Sequence, residues 1–255
     1  EPMIVLRSLL FNVLYPAWSI GIAIVMAPLL LTPRRWVQKG ARLWTIGLFF
    51  LMRWVINLRY EVRGRENIPP GGVIIAAKHQ SAWETLIFHH LLDDPVFILK
   101  RELLFIPFVG WLMKRSGAVG IDRSKGTSAL KKMIDQTRVR LAEQASIIIF
   151  PEGTRTPAGA ALPLHPGVAL LYDQLKAPVV PTALNSGVFW GRRTFIKKPG
   201  TVIIEFLPPM PEGMKKKDFL IELHARLNTA SDRLMAEAGA DVVALRAALQ
   251  EKPST

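Results

Sequence analysis

The sequence predicts an α/β protein: a single catalytic domain with a mainly parallel central sheet flanked by helices, preceded by an N-terminal membrane-anchoring helical element. Three observations predict it. Short apolar, strand-like runs alternate with helix-length segments from Gly71 to Phe206, the pattern of a parallel sheet. From Pro2 to Tyr60 there are seven Lys or Arg and no Asp or Glu, amid mostly apolar residues. At 255 residues the chain has room for a catalytic domain of ~190 residues plus an anchor. The expected division is residues 1–60 for the anchor, 61–240 for the catalytic domain and 241–255 for a peripheral tail.

The formal net charge is +13. Such a balance fits nucleic acid, anionic lipid or a phosphorylated substrate, and the apolar N-terminus favours lipid. No nucleic-acid partner is expected, because the basic residues concentrate in that apolar stretch and no recognition module accompanies them. The chain has no cysteine, which excludes disulfides, thiolate metal sites and a Cys nucleophile. Five histidines give no basis for a His-rich metal cluster.

Taken in order, Ser8 to Leu31 is uncharged and long enough to cross a bilayer, which takes ~20 residues. Pro16 and Pro28 are expected to interrupt it. It is too long for the apolar core of a secretory signal and ends at Pro33-Arg34-Arg35, not at a small-residue cleavage site. Arg35 to Leu58 reads as a basic amphipathic helix. Arg35, Lys39, Arg42, Thr45, Arg53 and Asn57 fall on one side, with Trp44, Leu48, Phe49, Leu51 and Val55 opposite. Two full spans would carry Arg34, Arg35, Lys39 and Arg42 to the non-cytoplasmic side, against the positive-inside tendency. The expectation is therefore an element embedded in one leaflet, with membrane lipids as its partners; one true span followed by an interfacial helix, and buried helices of a soluble core, are the alternatives.

Ile68-Pro-Pro-Gly-Gly72 is a turn cluster at the entrance to the catalytic segment. Strands are expected at Val73–Ala77, Val96–Leu99, Ala118–Ile121, Ser146–Phe150, Val179–Leu184 and Thr201–Phe206. Helices are expected at Ala82–Leu92, Pro107–Ser116, Thr127–Gln144, Gly167–Leu175 and from Lys217 to about Ala238. Pro181 suggests that its strand lies at an edge or ends there. The segment from Asp241 onward is weakly patterned. Trp83 and Trp111 read as core or interface packing, with the lining of an acyl groove as the alternative, and His89 and His90 receive no ligand role.

Four strings at strand ends carry chemistry. Lys78-His-Gln-Ser-Ala-Trp-Glu-Thr85 follows a buried strand, and its His79 and Glu84 can form a base and its orienting carboxylate. Ser81-Ala-Trp-Glu84 is equally a capping box for the next helix, so Glu84 has two readings. Ser81 itself reads as a cap, since no G-x-S-x-G elbow surrounds it. In Phe150-Pro-Glu-Gly-Thr-Arg-Thr156, Gly153 and Thr154 form a turn whose amides can hold a phosphate or oxyanion. Arg155 offers a forked cation for phosphate, and Glu152 is placed to orient that cation or a substrate hydroxyl. An ordinary β-turn with a surface Arg has the same sequence. Gly120-Ile-Asp-Arg123 adds a second phosphate candidate, Arg123. Val180-Pro-Thr182 alone says little.

In this order and spacing, the four strings resemble the glycerolipid acyltransferases, and most closely the bacterial lysophosphatidate acyltransferases. The resemblance runs from about Gly71 to Val188. The Phe-Pro-Glu-Gly-Thr-Arg match is complete; the His motif differs in carrying Glu84 where the family has Asp, one methylene longer. The resemblance implies transfer of a fatty acyl group from a thioester to the sn-2 hydroxyl of lysophosphatidate, giving phosphatidate. It implies His79 as general base with Glu84 behind it, and Arg155, Arg123 and Lys100 as phosphate ligands. Glu152, Gly153 and Thr154 are then the positioning or oxyanion group. The acyl donor is acyl-CoA or acyl-ACP as co-substrate, with no bound cofactor and no metal, at the cytoplasmic face of a bacterial inner membrane. A related enzyme using glycerol-3-phosphate or another lysophospholipid, and a non-catalytic lipid-binding protein, are the alternatives.

Overall fold

The computed structural model describes residues 2–122, 124 and 126–250. Helix α1 (Pro2–Met26) runs through Pro16 without ending. The expected interruption is absent there because a single proline removes only one amide hydrogen bond from a long apolar helix. Pro28 sits in the short 3-10 turn Ala27–Leu31 that follows. Helix α2 (Arg34–Val55) then packs back along α1.

The catalytic part contains β1 (Leu58–Arg63), β2 (Val73–Ala77), α3 (Trp83–Leu91), β3 (Pro95–Lys100), α4 (Val109–Arg115) and β4 (Val119–Ile121). Then come α5 (Gly126–Ala142), β5 (Ser146–Ile149), α6 (Gly167–Leu175), β6 (Val179–Leu184) and α7 (Ser186–Phe189). β7 (Gly200–Phe206), α8 (Lys216–Glu237) and α9 (Val242–Gln250) complete the chain. Strand β1 lies upstream of the Ile68–Gly72 turn and was not foreseen. Helix α9 gives the segment after Asp241 regular structure; Arg246 ties it to Asp232 and to the Gly159 carbonyl.

The strands form one sheet in the order β1-β7-β6-β2-β5-β3-β4. From β6 to β4 all neighbours are parallel, and β1 is parallel to β7; among the described residues only β6 and β7 pair antiparallel. Pro181 therefore sits inside the sheet, not at its edge. The ladder to β7 runs from Thr182 opposite Phe206, so Pro181 stands at its end and the missing amide costs one terminal bond at most. Its carbonyl still accepts a bond from Leu207 N.

Successive side chains of β2 feed opposite faces, as strand geometry requires. Ile75 and Ala77 pack with Phe11, Leu48 and Met52 of α1 and α2 and with Trp83 and Phe88 of α3. Ile74 and Ala76 pack with Met133, Leu171, Phe219 and Leu223 from α5, α6 and α8. The N-terminal helices thus cover one face of the sheet. Thr45, expected on the polar side of α2, is buried, its hydroxyl donating to Arg42 O. The outward face of α2 mixes Arg35, Lys39, Arg42 and Arg53 with exposed Trp36, Leu43, Phe50 and Trp54. Pro2–Leu31 is long and apolar enough to cross a membrane, with mean hydropathy 1.9 and 6% of its apolar window buried. Trp83 is a core residue, whereas Trp111 is 47% exposed.

Candidate active site

Because β2, β3, β4, β5 and β6 are parallel, their C-terminal ends open at one edge of the sheet. That edge is where α/β folds place ligands. It brings together strings that lie far apart in the chain. His79 follows β2, Lys100 ends β3, Phe150 to Arg155 follow β5, and Ser186 follows β6. A cavity of about 460 Å³ lies there, lined among others by His79, Lys100, Gly153, Thr154 and Arg155.

His79 Nδ1 lies 2.9 Å from Glu84 Oε1. The same oxygen accepts the amides of Gln80 (2.5 Å) and Ser81 (2.6 Å), and Glu84 Oε2 accepts the Ser186 hydroxyl (2.8 Å). Trp83 N in turn donates to Ser81 Oγ at 3.1 Å. Both readings of Glu84 are therefore realised by one carboxylate: it closes the capping box of α3 and it holds the imidazole. An ionised carboxylate only accepts, so Nδ1 carries the hydrogen and Nε2 keeps its lone pair. Nε2 has no hydrogen-bond partner among the described residues. The ring is stacked on Phe150 with centroids 4.0 Å apart, which fixes its plane. This geometry suits an imidazole that takes a proton from a group in the cavity.

Glu152 does not do what its sequence suggests. It is buried and pairs with the buried Lys78 ammonium at 2.5 Å, turned away from Arg155. Lys78 also donates to Ala160 O (2.9 Å) and Asn228 Oδ1 (2.7 Å). Glu152 Oε2 meanwhile accepts the His79 amide at 3.4 Å. Glu152 thus anchors the backbone behind the imidazole and does not line the cavity.

Gly153 adopts a positive φ of 68°, which favours glycine. Its amide donates to Phe150 O at 2.9 Å, so the amide expected to hold an oxyanion is committed to the turn. The amides of Thr154 and Arg155 have no partner among the described residues and are the available donors. Arg123 lies outside the described residues.

Residues 59–185 match the acyltransferase family. The 1-acyl-sn-glycerol-3-phosphate acyltransferase of Pseudomonas aeruginosa is 35% identical over 91% of this chain and 91% of that protein. The chain belongs to the acyltransferase family. The human 1-acyl-sn-glycerol-3-phosphate acyltransferase alpha is 29% identical over 80% of this chain and 73% of its own. The crystal structure of the 1-acyl-sn-glycerophosphate (LPA) acyltransferase PlsC from Thermotoga maritima shares the fold. Its TM-score is 0.70 at 21% identity, covering 92% of this chain and 96% of that one.

Three features of this acyltransferase site went unread in the sequence. Ser186 completes the cradle of Glu84 from the end of β6, and nothing in Asn185-Ser-Gly187 marks it. Arg192 and Arg193 reach the cavity from the β6–β7 connection, with Arg192 Nη1 on Arg155 O at 3.4 Å. Their signal was the basic string Gly191-Arg-Arg193 directly after a strand–turn, on the same edge as the other motifs. His89 also lines the cavity; burial pushes its pKa down to about 4, so it stands there neutral and adds no cation.

Proposed function

We propose that this acyltransferase moves a fatty acyl group from an acyl thioester to the sn-2 hydroxyl of lysophosphatidate, forming phosphatidate. The observation that carries this reading is a held, proton-accepting imidazole in the same cavity as Arg155 and Lys100, in a chain similar throughout to named 1-acyl-sn-glycerol-3-phosphate acyltransferases. The acceptor hydroxyl attacks the thioester carbonyl while His79 Nε2 removes its proton, and Glu84 stabilises the resulting imidazolium. The amides of Thr154 and Arg155 take the oxyanion of the tetrahedral intermediate. Collapse breaks the carbon–sulfur bond, and the thiolate recovers the proton from His79. The acceptor alcohol is itself the nucleophile, so no acyl-enzyme forms. Arg155 and Lys100, with Arg192 and Arg193, hold the acceptor phosphate. The donor is the thioester of acyl-carrier protein or coenzyme A.

The site works at the cytoplasmic face of the bacterial inner membrane, with α1 and α2 embedded in one leaflet. What supports this placement is that the first half of α1 is held on the catalytic part and its middle on α2, while its other face stays exposed. Ser8 Oγ accepts Lys197 N at 2.9 Å, Asn12 donates to Phe195 O at 3.0 Å, and Trp18 donates to Trp44 O on α2 at 2.9 Å. A helix held this way can lie along the domain with its apolar outer face in the leaflet.

The test is a purified-protein assay with labelled thioester and a panel of lysophosphatidate, glycerol-3-phosphate and other lysophospholipids. Lysophosphatidate should be the preferred acceptor. His79→Ala should abolish turnover with folding retained. Arg155→Ala should weaken acceptor use by about 2 kcal/mol, roughly thirtyfold in KM. Full turnover by His79→Ala would falsify the general-base role, and preference for glycerol-3-phosphate would reassign the acceptor.

A further inference from the structure

We propose that residues 103–111 form a second membrane-contacting element, separate from α1 and α2, that seats the mouth of the catalytic cavity in an anionic leaflet. The proposal rests on the lipid-acceptor reading above. Residues 103–111 span the 3-10 turn Arg101–Phe105 and the start of α4. Leu103, Phe105, Ile106, Phe108, Val109 and Trp111 are each between 39% and 67% exposed. Elsewhere between β1 and the end of α8, the exposed large apolar residues Val139, Leu162, Phe195 and Ile221 stand singly. Single exposed apolar residues are ordinary, whereas a contiguous cluster marks an interaction surface.

The backbone supports the same reading. Phe108 is held at φ 61°, ψ −61°, with Val109 N donating to Pro107 O at 2.7 Å. This is a γ-turn of the strained hand, which a bulky residue adopts only where surrounding structure imposes it. The turn sends the Phe108 ring outward to within 5.2 Å of the Trp111 ring. The strained turn leaves both paired rings about half exposed, an arrangement suited to apolar surroundings.

Three observations select lipid as the occupant. The patch is continuous with the anchor, because α4 packs against α2 and against the 3-10 turn Ala27–Leu31, whose Leu31 is 89% exposed. Its rim is basic: Lys114 and Arg115 are exposed with no acidic partner among the described residues, and Arg101, paired with Asp122, lies over the Phe105 ring at 5.7 Å. Aromatic side chains beside Lys and Arg are the make-up of a surface that sits at an anionic headgroup layer. Leu103 and Met113 also line the cavity that holds His79, as does Trp44 of α2. The acceptor therefore enters between two apolar walls, directly from the leaflet.

The native chain has no cysteine, so a single label is site-specific. Phe105→Cys and Ile221→Cys, the latter on α8 at the opposite sheet face, are labelled with a fluorophore. Each labelled chain is reconstituted in vesicles of equal parts phosphatidylglycerol and phosphatidylcholine, with nitroxide-bearing lipid. Quenching is expected at position 105 and not at 221. No quenching at 105, or equal quenching at both, overturns the proposal. In the second arm, the Phe105→Glu, Trp111→Glu double variant should lose about tenfold or more of its turnover on vesicle-embedded lysophosphatidate, and keep it on a short-chain, water-soluble lysophosphatidate. Loss on both or on neither overturns the proposal, as does a raised KM for acyl-carrier protein in its place. If the wild-type chain turns over neither acceptor, the acceptor reading fails while the quenching arm still decides the membrane contact.

Discussion

At the scale of single residues, the site is organised by what is buried behind it. The Lys78–Glu152 pair lies almost wholly out of water, and a buried ion pair that loses one partner leaves the other uncompensated. Glu152→Gln removes the charge and keeps the shape, so it should cost about 3 kcal/mol of stability, read as a lower midpoint in denaturant unfolding, with acceptor KM near wild type. A large rise in KM with unchanged stability would return Glu152 to the substrate. His89 gives a pH effect of known sign. Its folded pKa of about 4 lies below the ordinary 6.5, so the unfolded chain takes up a proton that the folded chain refuses. Its contribution is fully present above pH 6.5 and is lost as pH falls toward 4, up to about 3 kcal/mol. His89→Leu should flatten the stability profile across that window; an unchanged acid limb would show that the ring is protonated in the fold. The sequence showed His79 and Arg155 because each follows a strand end in a distinctive string. It misplaced Glu152 because a carboxylate next to a Gly-Thr-Arg turn looks outward until the burial of Lys78, on a different strand, is known.

At the scale of elements, strands with unbroken apolar runs and helices with strong periodicity were legible to within a few residues, since burial on both faces leaves little else for such runs to do. Strand β1 was missed although Leu58-Arg-Tyr-Glu-Val-Arg63 alternates, because it follows an amphipathic helix with no Gly or Pro between them. Pro181 misled because one amide missing at the end of a ladder does not require an edge strand. The β6–β7 connection illustrates what only the fold supplies. Lys197 is nearly buried, donates to the carbonyls of Thr194 and Phe195, and lies over the Trp190 ring; Trp190 packs edge-on against Phe11 and Tyr15 of α1. This loop is thus shaped by an internal cation and by α1, and it delivers Arg192 and Arg193 to the cavity. Replacing both with Ala should raise acceptor KM roughly tenfold with little change in kcat. A rise in donor KM alone would assign them to the thioester.

At the scale of the whole molecule, the N-terminal helices and the catalytic part share one core, which changes what truncation can reveal. Phe11, Leu48, Phe49, Met52 and Ile56 are buried against Trp83, Leu86 and Phe88 on the sheet. Removing residues 1–57 strips these five side chains from the core at roughly 1.5–3 kcal/mol each, on the order of the entire stability of a domain. The truncated chain should therefore be insoluble or lack a cooperative unfolding transition, and its failure to bind vesicles would say nothing about the anchor. A cleaner separation keeps the buried face and changes only the outer one. Leu6, Val13, Ile20 and Ile24 are 58–64% exposed on α1, while Ser8 and Phe11 hold its inner face to the domain. Substituting those four with Glu leaves the core contacts in place and makes the outer face hostile to an anionic leaflet. The variant should be soluble, fold cooperatively by circular dichroism, and float poorly with phosphatidylglycerol vesicles. It should still acylate a short-chain soluble acceptor, since none of the four lines the cavity. Undiminished flotation would place the membrane contact elsewhere on the molecule, with the exposed 103–111 cluster the next surface to change.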